Sequence, residues 1–284
     1  MLRHASIRLC VLLVIFLTLI SAAGCQTDPT GKRVLVLISR DQEISLGEEA
    51  APEFEKEFGG RVPNEQLQSY VSMIGGKVAA VSDRDMPYEY TLVASDVPNA
   101  FALPGGKIFI TAGLMRLMNN ERELAAVLGH ETGHVAAFHS VQGMQRQMGA
   151  QVLIDLAGRA AGKGEGAAEA AAQVVTTMAN LKYSRDDEYG ADVLGVKYMT
   201  RAGYNPWGMV ELLTILLNLQ EDEPGKIGEM LQTHPVSSKR IANTEEIIGN
   251  NDEYRSFSPN ASDPHVDRFA EMHRLLIETM GVGD

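Results

Sequence analysis

Residues 121–139 read ERELAAVLGHETGHVAAFH, and the fold is decided by how this run is taken. Asn119-Asn120 just before it is an N-cap signal, and Glu121 and Glu123 put negative charge in a first turn, where a helix favours it. Leu124, Val127, Leu128, Val135 and Phe138 supply an apolar face, and no proline occurs from Glu121 to Arg146. The run reads as helix. Residues four apart share a helix face one turn apart, so His130 and His134 can grip one ion, with Glu131 placed to reach its bound water. Zinc accepts neutral imidazole nitrogen and, in catalytic sites, keeps a position open for that water. The alternative is a buried helix whose histidines are satisfied by core hydrogen bonds.

A catalytic zinc usually takes three protein ligands. A downstream third histidine would fall at position 140, which holds Ser140, with Ala137 where such patterns carry glycine. His139 lies on a different face of the same helix and reads as a packing or supporting residue. That leaves a carboxylate. Ser184-Arg185-Asp186-Asp187-Glu188-Tyr189-Gly190-Ala191-Asp192 is the best source, because Glu188 and Asp192 are one turn apart. One can bind the ion while the other orients a ligating imidazole. The plain alternative is a solvated, acidic helix start, and Asp155 is a weaker candidate ligand.

The chain begins with a leader. Arg3 and Arg8 precede an apolar stretch, Leu9 to Ile20, too short to span a bilayer comfortably, and small residues follow to Gly24. Ser21-Ala22-Ala23-Gly24 before Cys25 resembles a bacterial lipobox, with Ala22 where leucine is usual. That resemblance implies residues 1–24 as signal peptide, Cys25 as lipidated mature N-terminus and, with Gln26 next, the outer membrane. The other readings are ordinary cleavage and an uncleaved anchor. Cys10 lies in the leader, so the remainder holds one cysteine, forms no internal disulfide and has no thiolate pair for a metal. Losing two arginines and no acid takes the formal charge from −12 to −14, which argues against a nucleic-acid partner.

Residues 25–43 read as a tether containing an apolar run, Val34 to Ile38, that is either a docked strand or a packed arm. Helical spacing covers Ile44 to about Phe58 and Glu65 to Val81. Tyr88 to Ser95 and Lys107 to Thr111 read as strands. Between them Asn99-Ala100-Phe101-Ala102-Leu103-Pro104-Gly105-Gly106 suits an edge strand able to pair with an extended peptide, or an ordinary hairpin. Residues 143–181 are rich in small side chains and break at Gly162 to Gly166, and a lid over the site is one use for them. A polar tail, 251–284, ends in an amphipathic helix from Val266 to Met280.

In this order, the Asn99–Gly106 segment, His130-Glu131-x-x-His134, Ser184-Arg185-x-x-Glu188-x-x-Ala191-Asp192, and Thr233-His234-Pro235 with Arg240 resemble the M48 family of zinc metallopeptidases, over about residues 44–248. Gly190 departs from the larger residue many members carry there. The resemblance implies a mainly helical α+β, zincin-type domain spanning 44–250, with a small sheet edge beside the motif helix. It implies one zinc per chain on His130, His134 and Glu188, with Glu131 as catalytic base. It brings His234 near the metal, where it either fills the open position or stabilises an oxyanion; a surface histidine in a helix-cap region is the third reading. Asp192 and Arg240 become supporting residues, Arg240 pairing with a carboxylate such as Asp192. Unfolded or misassembled exported polypeptides would bind along Asn99, Ala100, Phe101 and Ala102, at a membrane surface reached through the N-terminal lipid, on the periplasmic side. A chaperone or assembly factor without turnover, and a lipoprotein with a purely structural zinc, are the competing classes.

Overall fold

The computed structural model describes residues 24–162, 166–222 and 228–281. Residues 1–23, where the leader is expected, and positions 163–165 of the glycine break lie outside that set. A short hairpin comes first, β1 (Cys25–Thr27) against β2 (Arg33–Leu35). Val34, Val36 and Ile38 point inward alternately and are buried, so the apolar run is a docked arm with a strand in it. Helix α1 (Arg40–Glu57) begins earlier than the apolar spacing shows, because Ser39 and Gln42 cap each other's backbone. Helix α2 (Glu65–Ala79) starts at the Asn64 cap.

The sheet has three strands in the order β3 (Glu89–Val93), β5 (Lys107–Thr111), β4 (Ala100–Leu103). β3 runs parallel to β5 and β4 antiparallel. The Asn99–Gly106 segment is thus both things considered for it: a hairpin, and the sheet's edge. Gly105, at φ 74°, turns the chain with its Cα so close to α1 that an added Cβ would sit 2.8 Å from Ile44 Cα.

After short α3 (Ala112–Leu117) comes the motif helix α4 (Glu121–Ala136), every residue of it buried. Asn120 caps it, accepting from Glu123 N at 3.0 Å. It stops at Ala136, not beyond His139: Phe138 is left-handed (φ 62°), and α5 (His139–Met148) starts afresh. A proline-free run is permissive for helix but does not forbid a turn. Gly149, at φ 83°, adds a second break the sequence reading lacked, before α6 (Ala150–Gly162) and α7 (Ala167–Ala179). These three helices pack with α1, β4 and the N-terminal arm into one apolar cluster that includes Phe54, Phe101, Phe138 and Met144. They are core.

Helix α8 (Arg185–Arg201) opens on a reciprocal Ser184–Asp187 cap. Helices α9 (Trp207–Asp222), α10 (Gly228–Thr233), α11 (Ser238–Asn250) and α12 (Val266–Met280) complete the chain. The last is docked: Phe269, Met272 and Leu276 are buried, and Arg268 pairs with the buried Glu121 at the start of α4. No helix among the described residues is long and apolar enough to cross a membrane.

Candidate active site

Two helices carry the site, and glycines let them approach. A Cβ on Gly195 of α8 would lie 3.0 Å from His130 N, one on Gly129 3.0 Å from Gly195 O, and one on Gly133 3.0 Å from Ala191 O. Backbone contact at this crossing brings the α8 carboxylates to the α4 histidines. His130 Nε2 and His134 Nε2 lie 3.0 Å apart. Glu188 Oε1 is 3.3 Å from His134 Nε2, and Oε2 is 3.7 Å from His130 Nε2. His234, on the turn after α10, places Nδ1 3.0 Å from Glu188 Oε1. These four buried side chains each offer a donor atom within 4.8 Å of the others. Asp155, on α6, is not among them.

The outer nitrogens face further polar groups. His130 Nδ1 faces Asp192 Oδ1 at 3.0 Å. Asp192 accepts from Arg240 Nε at 2.9 Å and Nη2 at 2.7 Å, while Arg240 Nη1 lies 2.5 Å from Glu188 Oε2 and 3.1 Å from Pro235 O. Arg240 thus binds the His234 turn to Glu188 and Asp192 of α8. His134 Nδ1 faces His139 Nδ1 at 3.1 Å, and His139 Nε2 is 3.8 Å from Asp187 Oδ1. The sequence reading missed Asp187 and Tyr183. Tyr183 stacks on the His134 ring, centroids 3.9 Å apart, and its only sequence signal is its position just before the Ser184 cap.

Electrostatics follow from burial and neighbours. Burial raises the Glu131 carboxyl, which His234 and His130 only partly offset. Burial also opposes ionisation of Glu188, but Arg240 and His234 overcome it and hold that carboxyl well below the usual range. Burial drives the His134 imidazole well down, keeping its nitrogen free to bind an ion. For His234 burial is outweighed by Glu188 and Glu131, and its pKa rises.

The donor set fits a divalent cation. Facing ring nitrogens and a carboxylate crowd one point, and Glu131 Oε2 is buried there without a hydrogen-bond partner. A cavity of about 20 Å³, room for a single water, is lined by His130, Glu131, His234, Arg240 and apolar side chains of α9.

The predicted peptide edge is closed. Asn99, Ala100, Phe101 and Ala102 are all buried, and Ala102 O already accepts from Ser140 Oγ of α5 at 2.6 Å. Sequence could not show this, because the cover depends on the Phe138 turn.

A buried two-histidine helix with a carboxylate delivered from a second helix, beside a small sheet, defines a metallopeptidase of the HExxH class. Residues 63–248 match the model of peptidase family M48, and the chain belongs to that family. It is 30% identical over 245 residues to mitochondrial metalloendopeptidase OMA1 of Schizosaccharomyces pombe, covering 83% of this chain and 70% of that one. It is 28% identical over 219 residues to the β-barrel assembly-enhancing protease of Escherichia coli, covering 72% of this chain but only 43% of the relative. Metalloprotease YcaL of the same organism is 27% identical over 190 residues, 64% of this chain and 73% of that one. Metalloendopeptidase is therefore the class of this chain, which spans under half of the assembly-enhancing relatives.

Proposed function

We propose that the protein is a zinc-dependent endopeptidase with Glu131 as general base, acting on unfolded or misassembled exported polypeptides. The observation that carries it is the Glu131 carboxylate oxygen, buried and unpartnered beside four converging metal-type donors. His130, His134 and Glu188 would hold the ion; two imidazoles and a carboxylate suit zinc. Bound there, zinc would supply an acidified water, its pKa brought toward about 7, and positive charge for the developing oxyanion. Glu131 accepts the proton of that water on its free oxygen and later delivers it to the leaving amine.

His234 is the fourth donor, and in this arrangement it closes the set. A neutral His234 in the open position would keep the enzyme latent; once displaced, its N–H could meet the oxyanion. The closed edge at Ala102 fits a latent form, with opening needed before an extended peptide pairs with β4. Activity rising in His234→Ala supports latency, and its collapse supports the oxyanion role.

The lipobox-like leader motivates anchoring at Cys25 to the periplasmic face of the outer membrane. There the protein would serve envelope quality control, a role supported by kinship with a protein named as a β-barrel assembly-enhancing protease. A chaperone without turnover is the second reading, and a purely structural metal, which the closed four-donor set would suit, the third; neither has a use for Glu131.

Unfolded casein separates these readings. The expected result is cleavage that o-phenanthroline stops and zinc restores, falling on the order of 10²–10⁴-fold in Glu131→Gln while zinc is retained. Suppressed aggregation without cleavage would leave the chaperone.

A further inference from the structure

Phe138 is the one residue other than glycine in left-handed backbone among the described residues, and it is a bulky one. Its turn has a definite product. On an unbroken helix His139 would point about 140° round from His134. With the turn, His139 Nδ1 lies 3.1 Å from His134 Nδ1. With a cation held on His134 Nε2, Nδ1 would carry the proton and donate it to His139. His139 would then accept on Nδ1 and hold its own proton on Nε2, the side facing Asp187.

A distant ion pair holds the turn. Arg84 Nη1 donates to Val135 O at 2.8 Å, one residue past His134, at the negative end of α4. The same guanidinium spans the Glu43 carboxylate, Nη1 to Oε1 at 3.1 Å and Nη2 to Oε2 at 2.5 Å. It also lies over the Phe138 ring, 3.8 Å from the centroid. Glu43 in turn faces Gly105 N, at the turn that ends the edge strand, at 3.4 Å. Glu43 is almost fully enclosed and Arg84 largely so, and neither belongs to the donor cluster.

We propose that Arg84, seated on Glu43, is a positioning residue for the metal-facing nitrogen of His134, acting through the Phe138 turn and His139. The proposal rests on the metallopeptidase reading of the cluster. It makes an ion pair between α1 and the loop before β3 part of the machinery that orients a histidine on α4.

The test uses the purified full chain, stripped of metal and titrated with Zn²⁺ against a chromophoric chelator, with the Co²⁺ absorption spectrum as a second readout. Arg84→Gln is expected to weaken zinc binding several-fold, up to the about tenfold expected when His139 itself is removed, and to alter the cobalt spectrum. Adding Phe138→Gly to Arg84→Gln should recover part of that loss, because glycine holds the left-handed turn without a clamp. Phe138→Leu keeps the buried Arg84–Glu43 pair and guards against an Arg84 variant that does not fold; a several-fold loss of affinity is expected. Unchanged zinc affinity and cobalt spectrum in Phe138→Leu, or in an Arg84→Gln protein that is merely less heat-stable, would overturn the proposal. A wild-type chain that binds no zinc would instead overturn the functional reading beneath it.

Discussion

The two histidines of the motif helix are supported in different ways. His130 meets a carboxylate directly, Asp192, and behind that the buried Arg240. His134 meets a second histidine, then Asp187, then Arg146, half of whose side chain is in solvent. Both carboxylates come from α8, on either side of Glu188, so one helix supplies a donor and the outer supports of both neighbours. The first support is short and dry and needs no special backbone. The second is longer and depends on a left-handed turn held from α1. The expectation is a stiff His130 and an adjustable His134.

The largest effect should come from breaking the stiff side. Asp192→Ala removes the partner of His130 and leaves Arg240 buried against Glu188 alone. Zinc affinity should fall on the order of 100-fold. Chemical denaturation should show a loss of about 3–5 kcal/mol, the cost of breaking a buried pair. Asp192→Asn keeps an acceptor for His130 and should be milder in both measurements. Equal losses in the two variants would mean that charge, not orientation of the ring, is what Asp192 provides.

His139 sharpens the comparison. His139→Ala should weaken zinc binding about tenfold, less than Asp192→Ala, and His139→Asn should recover part by restoring an acceptor. Burial also holds the His139 imidazole down at about 4, against an ordinary 6.5. In the metal-free protein the unfolded chain therefore takes the proton first as pH falls through that window, and stability drops with it. The expected outcome is a shallower loss of stability between pH 6.5 and 4 in His139→Asn, read from denaturation midpoints.

How far each support could be read from sequence follows the same divide. His130, His134, Glu188 and Asp192 were visible because helical spacing is local arithmetic: each pair lies one turn apart. That α4 and α8 meet was not visible from spacing. It depends on Gly129, Gly133 and Gly195, which as letters look like poor helix residues and in space are the contact surface. The His139 relay was hidden for a different reason. The run from Glu121 is uniformly compatible with helix, and the turn at Phe138 is imposed by Arg84 and Glu43 from outside it. The edge strand was legible as an edge, but its cover by Ser140 belongs to that same turn.

The helix crossing gives a prediction that touches both histidines at once. In Gly195→Ala the new methyl meets Met209 Cε at 2.7 Å and His130 N at 3.0 Å. Met209 can swing away and the α4 backbone cannot, so the helices must part slightly. A stability loss of about 1–3 kcal/mol is expected by denaturation, with zinc affinity falling several-fold as Glu188 draws back. Loss of stability with unchanged affinity would mean that Glu188 reaches the cluster by side-chain adjustment and not by the crossing distance.

The smallest effect is expected at the outer end of the adjustable side. Arg146 Nη2 donates to Asp187 Oδ2 at 2.9 Å, but that same oxygen already accepts from Ser184 N at 3.0 Å within the α8 cap. Asp187 therefore keeps its place without Arg146, and a half-exposed ion pair is worth only about 0–1 kcal/mol. Arg146→Ala should change zinc affinity by less than about threefold and should matter less still at high salt. Arg240, the matching residue on the other side, is buried between two carboxylates, and Arg240→Ala leaves both uncompensated. Measured side by side, the two arginine variants should differ by at least about tenfold in zinc affinity. If they fall together, the outer charges act on the site by long-range field, and the division into a stiff and an adjustable histidine is wrong.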